Sequence, residues 1–263
     1  MLKNVFERVG KPWRPAAGDE GFEIVRRRLF EPIESEAIPD RDAAIDQFIR
    51  LYRSNQHNFP GECNEPDYRE RARRAYSVHP ELFRRLYDDW STLDRFQRTR
   101  GVLRLLAKVV HRLWVDDDRG LMILRASVLM DDGAVKSELT RYLHDQWEPI
   151  ISQDIDGRAS RPFALDKQLP NLGRYSAARR VARTLYVGTA PGSDSNQPGI
   201  GAERVLLGCA QPGETLGTLS DALRRLSDEG QNIHQDGNRY CVSSKPNLNR
   251  TVEGQGERAA PRP

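Results

Sequence analysis

The sequence contains no long apolar run. No stretch approaches the roughly 18 consecutive apolar residues of a membrane-crossing helix, and the N-terminus has none of the apolar core of a signal peptide. The expectation is a cytoplasmic protein with no membrane partner. Cysteine is scarce: Cys63, Cys209 and Cys241 are odd in number and far apart, which argues against a disulfide framework and against CxxC zinc sites. They read as small core residues or inert thiols. Lysine is scarce too, with six lysines against 35 arginines. Arginine's planar fork suits phosphates and carboxylates, although a GC-rich genome produces the same bias. The net charge of +3 is nearly balanced, so global electrostatics supply little attraction for nucleic acid.

What is present is a chain of 263 residues, 38% apolar and 30% charged, large enough for one big or two ordinary domains with a real core. Apolar spacing predicts helices over most of it. In "GDEGFEIVRRRLFEPI", Phe22, Val25, Leu29 and Phe30 share a face and Pro32 closes the segment. "RDAAIDQFIRLYRS" does the same with Ala44, Ile45, Phe48, Ile49 and Tyr52. Ser54 to Arg69, with Pro60, Gly61 and Pro66, reads as a loop. "HPELFRRLYDDW" starts a helix at Pro80, and a longer one runs from Thr99, its expected N-cap, to Trp114. Its stripe is Val102, Leu105, Leu106, Val109, Val110, Leu113 and Trp114. Leu121 to Met130 reads as a strand, "AVKSELTRYLHDQW" as one amphipathic helix, and residues 152–173 as irregular.

Further on, "SAARRVARTLYV" predicts a helix burying Val181, Leu185 and Tyr186, and "TAPGSDSNQPG" a linker. "GIGAERVLLGCA" and "TLSDALRRL" are two more helices around a "QPGE" turn. "NIHQDGNRYCV" predicts a hairpin turning at Asp236 and Gly237, with Ile233 opposite Tyr240. The expected fold class is mainly α with a smaller α+β part of winged-helix type. The tail "TVEGQGERAAPRP" has no periodicity and is expected to be disordered.

Positive charge collects in "FQRTRGVLRLL". Arg104, Lys108 and Arg112 lie at i, i+4 and i+8 on one face, where like charges repel by roughly a few tenths of a kcal/mol per pair. With the free amides of the helix start, they make a place for an anion such as phosphate. The other reading is a solvated basic face neutralised by Asp88, Asp89 or Asp94.

"Gly101-Val102-Leu103-Arg104-Leu105-Leu106" resembles the GxxR signature at the sensor-two helix of AAA-type ATPases, particularly the origin-recognition branch. A wider series carries a more specific resemblance: "PWRPA…FEIVRRRLFEPI", "YSVHPELFRRLYDDWSTLDRFQRTRGVLRLLAKVVHRLW", "ELTRYLHDQWEPII", "GRYSAARRVARTLYVGTAP" and "CAQPGETLGTLSDALRRL…DGNRYCVSSKPNLNR". It is similar to a large bacterial ATPase family known as domain of unknown function four-nine-nine, often encoded beside DNA adenine methylases in anti-phage loci. The resemblance covers roughly residues 5 to 250. It implies a helical lid over residues 1–115, a mixed connecting region over 116–174 and a winged-helix-like module over 175–250, followed by the tail 251–263. It also implies that Arg104 is the sensor-two arginine, with Arg100 and Arg98 as near alternatives.

The chain departs from that family in having no GxxxxGK[ST], the loop whose amides and lysine hold phosphates. In Gly10-Lys11-Pro12 a proline stands where Ser or Thr is required. "Val128-Leu129-Met130-Asp131-Asp132" imitates a Walker B strand but follows the lid helix in chain order. Met1 falls where the resemblance is already mid-protein, and the text after Arg250 looks like the product of a frameshift. Hydrolysis by this chain alone is therefore not expected. ATP and magnesium enter only with a complete ATPase, whose P-loop half is the implied partner, beside DNA and a neighbouring DNA methylase.

No catalytic residue or metal ligand is assigned. His57 and Cys63 are six apart, the other histidines are scattered, and no GxSxG elbow occurs. Arg26, Arg27 and Arg28 could supply an arginine finger or simply face solvent. A second function class is a stand-alone winged-helix module contacting DNA through Arg224, Arg225 and Arg239. Asp221, Asp228 and Glu229 offset the helix arginines, which favours protein docking instead. A third possibility is an inert remnant of a broken gene.

Overall fold

The computed structural model describes residues 18–93, 95–193 and 199–245. Gly10-Lys11-Pro12, Asp94, the Arg98 side chain, the middle of the Thr189–Gly199 stretch and the tail lie outside the described residues.

The fold is mainly α with a small three-stranded antiparallel sheet. Helices α1 (Gly18–Leu29) and α2 (Ile38–Ser54) bury the apolar faces that their spacing predicts. The following stretch is more ordered than its composition suggests. Two 3-10 turns, Gln56–Asn58 and Gly61–Asn64, carry Phe59 and Cys63 into the core, where Phe59 packs edge-on to Tyr52 at 4.8 Å. Pro60 and Gly61 mark the turn, but the two apolar side chains around them decide where it goes. Helices α3 (Tyr68–Ala75) and α4 (Pro80–Asp88) follow, and His79 caps α4 by accepting from the Glu81 amide at 3.2 Å.

Helix α5 spans Arg98–Val115. Thr99 is not its N-cap: left-handed Gln97 (φ 52°) precedes the helix without a side-chain cap, and Thr99 Oγ1 instead hydrogen-bonds Tyr87 Oη at 2.6 Å. Val102, Leu105, Leu106, Val109 and Leu113 are buried, whereas Trp114 is 85% exposed. At 100° per residue Trp114 lies about 120° around the helix from Val102, beyond the core-facing stripe.

Leu121–Met130 is not a strand. It holds a 3-10 turn at Arg125–Ser127 and a single parallel bridge between Val78 and Ile123. Met122, Leu124, Ala126, Val128 and Met130 are all buried, as is Arg125 in the 3-10 turn that interrupts the alternation; beyond that one bridge no strand among the described residues pairs with the segment. The predicted helix over 134–147 breaks into α6 (Gly133–Thr140), capped by Asp132, and the short α7 (Trp147–Ile150). Residues 152–173 are helical rather than irregular: a π turn (Ile151–Ile155), α8 (Arg161–Gln168) and α9 (Pro170–Gly173). Ser160 caps α8, and Pro162 and Pro170 occupy first-turn positions, where proline's missing N–H is harmless.

Helix α10 (Ala177–Thr189) is the central post, with Val181, Leu185, Tyr186 and Val187 fully buried. Val181, Leu185 and Val187 each contribute roughly 1.5–3 kcal/mol by leaving water. Trp90 donates its indole N–H to the Val187 carbonyl at 2.9 Å, and Trp147 meets Tyr186 edge-on at 5.5 Å. After α10 come β1 (Ile200–Gly201), α11 (Ala202–Cys209), α12 (Leu216–Glu229), β2 (Ile233–Asp236) and β3 (Arg239–Val242).

The strands order as β1-β3-β2. Ile233 pairs with Val242, and Tyr240 with Gln235, so the predicted register is off by two residues. The turn residues are Gly237 (φ +56°) and Asn238, since Asp236 already pairs with Arg239. A two-residue slip keeps the same faces inward. One continuous core runs from Phe22 to Val242.

Candidate functional site

The basic face of α5 is built on a tight entry. Gly101 lies where any Cβ would run into the Phe96 carbonyl oxygen, because the left-handed turn at Gln97 folds Phe96 back over the first helical turn. Phe96 is buried and packs edge-to-face against Tyr142 at 5.1 Å. The glycine of the GxxR sequence therefore has a packing reason, independent of any ligand.

Three residues on, Arg104 meets a carboxylate that the sequence reading missed. Its Nε and Nη2 donate to Glu138 Oε1 at 3.0 and 2.6 Å, and Nη2 also contacts Tyr142 Oη. Lys108 Nζ reaches Glu138 Oε2 at 2.7 Å, and Tyr142 donates to Oε1 at 2.7 Å. The Glu138 side chain is only 3% exposed. Burial alone would raise its carboxyl, but hydrogen bonds from Lys108, Tyr142 and Arg104 outweigh that and bring it down to about 2. The acid facing Arg104 is therefore Glu138, on α6. Neither Asp88 nor Asp89 neutralises this face: Asp89 pairs with Arg85 at 2.9 Å, and Arg112 with Asp116. No periodicity within α5 could reveal a partner 34 residues away on another helix.

Arg104 keeps 39% of its side chain exposed while held in this clamp. Arg100 is exposed on the same helix. Two arginines that the sequence reading passed over, Arg95 and Arg141, are exposed close by and line a shared cleft with Tyr142.

The arginines of the C-terminal part are engaged locally. Arg224 pairs with Asp221 at 2.7 Å and Asp228 at 3.3 Å, and Arg225 with Asp221 at 2.9 Å. Arg239, on β3, donates to the Gly199 carbonyl. In α1, Arg26 and Arg27 both reach Glu23, at 3.5 and 2.8 Å, and Arg28 is exposed. The stretch resembling Walker B is not on a strand. Asp132 is spent capping α6, and the amides of Met130 and Asp131 donate to Asp156. Among the described residues no group of three or more His, Cys, Asp or Glu is placed to hold a metal ion. Burial pushes the Cys63 and Cys209 thiols up to about 12, so neither is a nucleophile at neutral pH.

A second ion cluster lies in the interior. Glu81, 1% exposed, is met by Arg84 at 2.8 Å, Arg85 at 3.0 Å, Arg204 at 3.2 Å and Arg125 at 3.8 Å. Arg204 also holds Glu62 at 2.7 Å, so α11 is tied to α4 and the turn before α3. Arg125 is fully buried, and desolvation lowers its pKa to about 10 against the pull of Glu81. Gly208 leaves the room for its guanidinium: a Cβ there would clash with Nε and Nη2.

No helix among the described residues is long and apolar enough to cross a membrane. No curated protein and no solved structure matches the chain. Residues 16–199 match the DUF499 second domain, a span that takes in α1 to α10 and stops just before β1. With that match covering most of its length, the chain belongs to the DUF499 family.

Proposed function

We propose that this chain is the nucleotide-responsive lid and winged-helix part of an AAA-type ATPase of a bacterial phage-defence or DNA-modification system. The observation that carries this reading is the Arg104 clamp. Glu138 and Tyr142 hold a part-exposed guanidinium in one orientation on a long helix, which is how an enzyme positions a cation for a developing phosphate charge. A terminal phosphate would compete with Glu138 for Arg104 and so pull on α6.

Two further features support the reading. The order α10-β1-α11-α12-β2-β3 with strand order β1-β3-β2 agrees with the element order expected of a winged helix. The part-buried Glu81–Arg204–Glu62 cluster couples it to the helical part, so movement at α5 would carry the module with it. The residues present suit only the terminal-phosphate end of ATP. Asp131 and Asp132 do not form a magnesium site, so ATP and magnesium would be held by a separate P-loop half. In the full assembly the winged helix would face DNA or a partner such as a DNA methylase. The local ion pairs of Arg224 and Arg225 favour a protein surface, since paired arginines release few counterions on binding DNA.

The test is ATP hydrolysis after mixing this chain with a separately expressed P-loop half. Arg104→Ala should lower the stimulated rate by about tenfold or more. A stimulated rate unchanged by that substitution would overturn the sensor assignment.

A further inference from the structure

We propose that the cleft between the loop before α5 and the C-terminal end of α6 binds a linear polyphosphate chain through Arg95 and Arg141. The inference starts from two cavities of about 510 and 430 Å³, both lined by Arg95, Arg141 and Leu143. Cavities of this size suit a small ligand. Neither arginine has an ion pair or a side-chain hydrogen bond among the described residues. Many other guanidiniums are engaged, among them Arg69 with Asp46, Arg85 with Glu81, Arg180 with Glu214 and Arg183 with Asp156; what sets Arg95 and Arg141 apart is that both line one cleft. Two unpaired guanidiniums facing one cleft repel each other, and an anion between them removes that cost.

The distribution of acids selects where the anion goes. The smaller cavity is lined by Arg95, Arg141 and His144, with no carboxylate among its described lining residues. The larger one adds Lys108 but also Glu138, Asp145 and Glu148. Of these, Glu138 already holds Arg104 and Lys108, and Glu148 lies 3.5 Å from Lys136. A phosphate chain therefore fits with its strongest contacts in the smaller cavity. There each guanidinium can present two parallel N–H donors to phosphate oxygens. An extended nucleic-acid strand would have to pass Asp145 and Glu148, so it is the poorer ligand. Tyr142 lines the smaller cavity and its hydroxyl touches Glu138, which connects a bound phosphate chain to the Arg104 clamp.

That the polyphosphate belongs to a nucleotide rests on the reading above. That the cleft binds polyphosphate does not.

The experiment is a ³¹P NMR titration of sodium tripolyphosphate with the intact chain at low salt, followed by competition with ATP. Line broadening is expected, with affinity at least about tenfold lower in the Arg95→Ala/Arg141→Ala double variant and lower still for Arg141→Glu. Displacement by ATP would identify a nucleotide as the source, and no displacement a free polyphosphate. Equal affinity in wild type and double variant, no broadening at millimolar ligand, or binding of a single-stranded oligonucleotide alone would each overturn the proposal. Loss of the cleft with Arg104-dependent hydrolysis intact leaves the lid reading standing. Binding here without stimulated hydrolysis removes the lid reading and keeps the cleft.

Discussion

Glu81 and Glu138 are both almost completely buried carboxylates that gather several cations, yet they sit in opposite surroundings. Around Glu81 three of the four cations are largely interior: Arg125 is fully buried, Arg85 is 19% exposed and Arg204 21%, while Arg84 is 36% exposed. Around Glu138 they reach water: Arg104 is 39% exposed and Lys108 35%. A fully buried charge such as Arg125 serves to lock elements together, because removing its counter-charge strands it in a medium that cannot solvate it. Charges at a cleft edge can change partner, because water or an incoming anion can take over. The same residue types thus make a fastening in one place and a candidate response element in the other.

The largest expected effect is on the fastening. Glu81→Ala should cost about 3–5 kcal/mol in urea unfolding, since it leaves Arg125 buried without a counter-charge. Glu138→Ala should cost clearly less and increase the solvent exposure of Arg104. Equal losses would erase the distinction between the two clusters.

Next in size is a pH effect at His79, which packs beside Glu81. Its Nδ1 accepts from the Glu81 amide, so Nε2 carries the proton and donates to Tyr52 Oη at 2.9 Å. Burial drives its pKa down from the usual 6.5 to about 4, with Glu81 opposing and Arg125 assisting. A base with a depressed folded pKa is protonated first in the unfolded chain. Stability from this group is therefore complete above about pH 6.5 and is lost as pH falls toward 4, by about 3 kcal/mol in all. The depressed carboxyls of Glu81 and Glu138, both at about 2, add a further loss from about pH 4.5 downward. Urea midpoints at pH 7, 5.5 and 4 check the sign. A flat profile between 7 and 4 would mean that His79 is not held neutral inside.

The smallest effect belongs to the surface pairs of α12. Arg224→Ala should leave the urea midpoint unchanged, because the side chain is 61% exposed, Asp228 is 60% exposed and Asp221 keeps Arg225 as a partner. A marked drop would show that this helix depends on its charges as the interior cluster does.

Much of the helical architecture was legible beforehand. The stripes of α2, α5 and α10 point inward as their spacing predicts, and the hairpin forms with the predicted faces buried. Two of the misreadings share one cause. Phe59 and Cys63 are buried within a stretch full of loop formers, and Leu121–Met130 has a single bridge to Val78 rather than a strand to pair with. In both, the neighbours that decide burial came from elsewhere in the chain. Trp114 differs, because its exposure follows from its own angle on α5.

The candidate site shows the same division. The sequence alone determined that α5 is a helix with an apolar face and a basic one, because a 3.6-residue period is a local property of the backbone. It also carried the family resemblance, which the match over residues 16–199 supports. The pairing of Arg224 and Arg225 with Asp221 and Asp228 was legible as well, being spacing within one helix. Only the tertiary structure decided that Arg104 faces Glu138 and that Arg95 and Arg141 share a cleft. Coulomb energy and burial depend on distance through space. Residues 34 or 46 positions apart acquire that distance only when the chain has packed.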